Sequence, residues 1–213
     1  MTMTACPRTF SAFLGPEVTQ TFMALPHADK IRRFEAFIKF VQAQRIRFRP
    51  SKRATTCHAV VVDEEVMPRS EAESLVAGRT ISGFGVDGTA DGFLPQCELS
   101  LGAAWLAHDI GHQDVVENPR GSFKFGWCHA EKQKLTELRR KMTDKSHWRA
   151  VCLVVDRNMC SDCIAFTSAL AAFEDEPIRI RDPEYSRVFQ PQGAIVEVVS
   201  SDGALKMREE SQV

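Results

Sequence analysis

Two short runs hold the residue types from which a reactive centre can be built: Cys128-His129-Ala130-Glu131 and Cys160-Ser161-Asp162-Cys163. Each follows a stretch that reads as a strand and opens one that reads as a helix. Cysteines at i and i+3 in a first helical turn lie on one side and can ligate one ion. A histidine from the start of another helix, His129, completes a three-ligand set with Cys160 and Cys163. Two thiolates and a neutral imidazole around Zn²⁺ form a neutral core whose fourth tetrahedral position stays open for water, as in a catalytic rather than a structural zinc. The positive ends of the two helices help to keep the thiolates ionised. Zinc lowers the pKa of a bound water from 15.7 to about 7 and so supplies hydroxide at neutral pH. Glu131, on the same helix tip as His129, is the group within reach to take and return that proton.

The remaining cysteines support metal over disulfides. There are seven in 213 residues, an odd number, and Met1 to Leu14 shows no basic segment followed by an apolar one, as a secretory signal would. Cys128 reads as a buried thiol, because adjacent residues at a helix start point apart, and Cys152 as a core residue in mid-strand. Apolar residues make up 44% and charged residues 26% of the chain, which excludes a disordered tail, a fibre or a collagen-like repeat. No run approaches the roughly 18 apolar residues of a membrane span. A formal net charge of −1 selects no partner.

His129-Ala130-Glu131 followed by Cys160–Cys163 resembles the cytidine deaminase-like superfamily, whose pattern is His/Cys-x-Glu and then Pro-Cys-x-x-Cys. The resemblance covers roughly residues 120–200. It implies a three-layer α/β/α sandwich with a mixed central sheet, a helix–strand–helix carrying the two motifs, and Zn²⁺ as cofactor. The reaction it implies is hydrolytic deamination: attack on C4 of cytosine, with Glu131 delivering the proton to a ring nitrogen and to the leaving ammonia. Cytosine over adenine follows family frequency. Position 159, usually proline, is methionine, a departure that points toward the toxin, effector or editing branch, which acts on bases in polynucleotides. Single-stranded DNA or RNA is then the extended substrate, without a membrane, and an immunity or other partner protein is not readable. Family members hold the base with residues before the first motif helix and in the loop before the cysteines. Here those include Phe125 and Trp127, as stacking platforms, and Asn158, beside Asp156 and Arg157. As strand residues, the two aromatics read equally as core.

The elements that must carry these groups are legible in outline. His27 to about Gln44 has helical spacing, Thr55–Val62 reads as a strand, Ser70–Val76 as a short helix and Arg79–Val86 as a strand with glycine irregularities. Asp87–Gly92 and the segment with Asn118, Pro119 and Gly121 read as loops. Leu99–Ala107 is an apolar helical patch, Phe123–Trp127 a short strand, and His129 to Met142 a helix with Leu135 and Leu138 inward. Arg149–Val155 has the continuous apolar pattern of a strand covered on both faces. Ser161–Phe173 reads as a helix, and Ile178–Ile180 and Gly193–Val199 as strands. The expected organisation is a helical basic N-terminal extension over 1–53, a deaminase-like domain over 54–200 and a polar tail over 201–213. With no secretory signal, the expected location is the cytoplasm, or a target cell for a delivered effector.

Two further features call for other readings. Lys30 to Arg53 holds nine basic residues against one acid, Glu35, with Phe34, Phe37, Phe40 and Phe48 interleaved. Such a stretch can track a phosphate backbone and stack bases, yet Phe34, Phe37, Phe40 and Val41 also fall at the spacing of a helix with a buried apolar face. His108-Asp109-Ile110-Gly111-His112 resembles the doublet of HD-type metal phosphohydrolases, for which His58 and Asp144 are the other candidate ligands. A zinc-stabilised interaction module without turnover is the third reading.

Overall fold

The computed structural model describes residues 7, 9–45, 53–83, 92–113, 115–118, 122–199 and 208–209. Arg47, Phe48, Arg49 and Lys52 of the basic stretch, the loop at 87–91, Pro119 and Gly121, and most of the tail lie outside them.

The chain begins with helices α1 (Phe10–Leu14), α2 (Pro16–Thr21) and α3 (His27–Ala43). In α3 the 3.6-residue period decides the packing: Ile31, Phe34 and Phe37 are fully buried, whereas Arg32, Arg33 and Lys39 are exposed. Of the two readings of the basic stretch, the described part follows the packing one. Then come β1 (Thr56–Val61), α4 (Arg69–Val76), β2 (Thr80–Ile81), α5 (Gln96–Asp109), β3 (Val115–Asn118) and β4 (Ser122–Phe125). The remainder is α6 (Ala130–Lys141), β5 (Val151–Val155), α7 (Ser161–Glu174), β6 (Ile178–Arg181), β7 (Tyr185–Phe189), β8 (Ile195–Val199) and β9 (Arg208–Glu209).

The fold is a mixed α/β sandwich with N-terminal helices, as expected. Among the described residues seven strands form one sheet in the order β2-β1-β5-β6-β7-β8-β9, and β3 and β4 form a separate hairpin. The β5–β6 pairing is parallel, with α7 as its crossover, and the other pairings are antiparallel. Register places Cys57 opposite Val155, Ala59 opposite Leu153, and Leu153 beside Ile180. These side chains share the sheet face that carries the main core, which also holds Leu135, Leu138, Trp148 and Phe166. Val154, on the other face, is half-buried, so the apolar run of β5 is covered less fully there. That strand starts at Val151 because residues Lys145–Ala150 form a 3-10 turn, started by the Asp144 carboxylate accepting the Ser146 N–H at 2.8 Å.

A second core joins α1 and α3 to α5 and to Phe125, Trp127 and Cys128. Helix α6 lies between the two cores, against α4, α5, α7 and strands β1, β2 and β5. It is buried from Ala130 through Leu138, well beyond the two leucines that sequence pattern assigns inward.

Candidate metal centre

Helices α6 and α7 bring their N-termini together. His129 is the N-cap of α6 and Cys160 the N-cap of α7, and neither side chain is used to cap its helix. Both backbones are extended there, with φ near −75° and −79°, so each side chain leaves the helix at its tip and faces the other. Cys163, in the first turn of α7, is fully buried, His129 is half-buried and Cys160 is exposed. His129 Nδ1 lies 3.2 Å from Cys163 Sγ and 3.5 Å from Cys160 Sγ. The three donor atoms lie within 4.8 Å of one another, and they are the group able to hold a metal ion among the described residues. A tetrahedral ion bonded at about 2.0 Å to nitrogen and about 2.3 Å to sulfur requires an N···S edge of about 3.5 Å. The donor set therefore fits such an ion by geometry as well as by chemistry.

The electrostatics tell the same story. Hydrogen bonding from Cys163, opposed by burial and aided by His129, holds the Cys160 thiol at about 4, so it is a ready thiolate. Cys163 is pushed up by the hydrogen bond to Cys160 and by burial, and His129 is raised through its bond to Cys160. Three mutually dependent protonation states are what a ligand cluster has before a cation neutralises it. Glu131 is 4% exposed and stands two residues past His129, in the first turn of α6. Burial raises its carboxyl above the ordinary range, which suits a group that must both take and give a proton.

Three residues whose pairing the motifs do not reveal brace this end of the molecule. Lys132, next to Glu131, is fully buried and points across to α7, where its Nζ is 2.8 Å from Asp162 Oδ2. His112 Nε2 lies 2.9 Å from Asp162 Oδ1. Burial works against the Asp162 carboxylate, but the bonds to His112 and Lys132 prevail and hold it at about 2. The brace thus ties the turn after α5 to the first turns of α6 and α7. Asp162 stands inside the second motif and His112 at the end of the His108–His112 run, but nothing in their spacing pairs them.

The other candidate residues are placed as follows. Asn158 is exposed in the β5–α7 loop, two positions before Cys160. Asp156 in the same loop accepts the Thr56 N–H at 2.9 Å and its hydroxyl at 2.8 Å, so it ties the loop to β1. Trp127 is fully buried and Phe125 nearly so; the two rings stack on each other at 5.1 Å, and Phe34 packs on both. The structure assigns these rings to the N-terminal core. Cys128 and Cys152 are buried thiols. His108 and Asp109 are exposed at the end of α5, His58 is exposed on β1 and Asp144 caps its 3-10 turn; among the described residues they form no ligand group. No helix among the described residues is long and apolar enough to cross a membrane. No protein-family model matches the chain, and no curated protein matches it.

Proposed function

We propose that this chain is a zinc-dependent hydrolytic deaminase that converts cytosine to uracil, with a polynucleotide as the substrate class. The observation that carries the reading is the convergence of His129 Nδ1 and the Cys160 and Cys163 sulfurs beside a buried Glu131. The order α6–β5–α7, with one half of the motif on each helix tip, supports the resemblance in residues 120–200.

Two thiolates and an imidazole select a soft, tetrahedral divalent ion, and zinc is the common choice. When bound, that ion would supply the lowered water pKa and a fixed point beside which the amidine carbon sits. Everything else falls to the chain. Glu131 takes the proton of the attacking water, gives it to the ring nitrogen beside the reacting carbon, and provides for departure of the amino group as ammonia. A carboxyl held up by burial lies nearer the working pH than a free one, which makes both transfers easier. Water adds and ammonia leaves, so atoms balance without a further reactant. Asn158, exposed beside Cys160, is the candidate for holding the base edge.

A mass-spectrometric deamination assay on single-stranded DNA, duplex DNA, RNA, cytidine and adenosine tests this. Wild type is expected to convert cytosine in a single-stranded pool. Glu131→Ala is expected to keep the metal and lose at least about 10²-fold in rate. Full activity in Glu131→Ala would overturn the mechanism. One bound metal without conversion in any pool would favour the interaction-module reading.

A further inference from the structure

Asp182, just past the end of β6, has a side chain with no exposed surface, and every partner it has is a donor. Its Oδ1 accepts the backbone N–H groups of Glu184 at 2.9 Å and Tyr185 at 2.8 Å. Its Oδ2 accepts the Arg187 guanidinium and, at 3.1 Å, the backbone N–H of Met159. Arg187 is itself fixed by Glu197 on β8 at 2.5 Å. Oδ2 thus links the β6–β7–β8 part of the sheet to the residue directly before Cys160.

Position 159 is where the superfamily pattern has proline. Proline restricts the chain through its own φ and through the residue before it, but it has no N–H to donate. The bond from Met159 to Asp182 therefore belongs to a chain without that proline. Asp156 anchors the start of the same loop to Thr56, so the segment delivering Cys160 is held at both ends.

We propose that Asp182 is a positioning residue for the Cys160 ligand, and that its bond to the Met159 N–H supplies the restraint that proline supplies elsewhere. The proposal rests on the reading of His129, Cys160 and Cys163 as metal ligands. It does not require deaminase activity.

The test is Co²⁺ titration of the full chain, stripped of metal, against a competing chelator, following thiolate-to-cobalt absorption. Asp182→Asn keeps shape but turns one acceptor oxygen into a donor. It is expected to weaken Co²⁺ binding ten- to hundredfold, the range for groups that orient metal ligands. Met159→Pro added to Asp182→Asn is expected to recover at least tenfold, because the ring restores the restraint by another route. Met159→Leu, which keeps the N–H, is expected to bind as wild type does. Unchanged affinity in Asp182→Asn, or no recovery in a folded double variant, would overturn the proposal while leaving the metal centre intact. A wild type that takes up no Co²⁺ would overturn both. Amide hydrogen exchange decides the matter if Asp182→Asn does not fold. In Co²⁺-loaded wild type the Met159 amide should exchange at least tenfold more slowly than that of exposed Asn158, and equal rates would overturn the proposal.

Discussion

In α3, Arg32, Arg33 and Lys39 face solvent while Phe34 and Phe37 are fully buried. In α6, Glu131, Lys132, Lys134 and Glu137 are all buried, alongside Leu135 and Leu138. Both helices are rich in charge, and the difference lies in what the charges meet. An exposed arginine needs only water, so α3 obeys a simple apolar period and its ion pairs, Arg32–Asp29 at 2.6 Å and Lys39–Glu35 at 2.7 Å, are surface pairs. A buried lysine must be matched, and the matches in α6 are specific. Lys134 donates to the carbonyls of Val76, Ala77 and Gly78 at the end of α4 and to Glu137 at 2.8 Å. Lys132 is held by Asp162 at 2.8 Å. Gln133 donates to Gly83, Ser100 and Cys128. The polar groups of α6 therefore fix its rotation and height, and with them the positions of His129 and Glu131. Burial of charge, more than its abundance, sets apart the helix that carries His129 and Glu131.

The contrast breaks most visibly at the ligands. Cys163→Ser or His129→Ala is expected to abolish tight metal binding altogether, seen as loss of the bound ion by elemental analysis and a lower thermal midpoint. Phe37→Ala is expected to cost about 3–5 kcal/mol of stability through the cavity it leaves in the N-terminal core. Its metal affinity should be unchanged while the chain is folded, and a parallel loss of metal would show that the two cores are not separable.

Breaking the α6 brace comes next. Asp162→Ala removes the carboxylate that pairs with the fully buried Lys132 ammonium, a change worth about 3 kcal/mol, at the low end for buried pairs because the Asp162 side chain keeps 32% of its surface in water. Urea unfolding would measure it, and Asp162→Ala combined with Lys132→Met should regain part of the loss. Acid reports on the same side of the molecule through Asp182. Burial raises its carboxyl, but the Met159, Tyr185, Arg187 and Glu184 hydrogen bonds outweigh that and hold it below the ordinary range. A depressed folded value means stability that is fully present above the unfolded pKa of about 4 and lost as pH falls through the folded one. The urea midpoint should therefore drop below about pH 4 in wild type and drop less in Asp182→Asn.

How much of this was readable in advance depends on the range of each interaction. His129, Glu131, Cys160 and Cys163 stand at the helix starts that the strand-to-helix transitions predict, because capping position and i, i+3 spacing are local facts. The sheet was legible where strands are apolar, as in β5, and missed at β7. There Arg187 occupies a buried position and spoils the alternation; it is admissible only because Asp182 and Glu197 neutralise it. Lys132 with Asp162 and His112 escaped for a similar reason, since their partners lie 20 and 30 residues apart in the chain. The aromatics Phe125 and Trp127 were open to either role, and Phe34 of the N-terminal helices packs on both rings, which lie buried.

The smallest effect is expected on the exposed face of α3. Arg32→Ala removes a pair whose side chains are 66% and 44% exposed, so its loss should change stability by less than about 1 kcal/mol. The same holds for Lys39→Ala, whose side chain is 71% exposed. A stability change that small frees these residues for a sharper measurement, the salt dependence of single-strand binding. Each phosphate contact contributes about 0.7 to the slope of log K against log salt. Because Asp29 and Glu35 already neutralise Arg32 and Lys39, their removal is expected to shift that slope by less than one contact's worth. Arg33, exposed on the same helix, should shift it by about one contact if α3 tracks the strand. A slope unchanged by Arg33→Ala would confine α3 to its packing role.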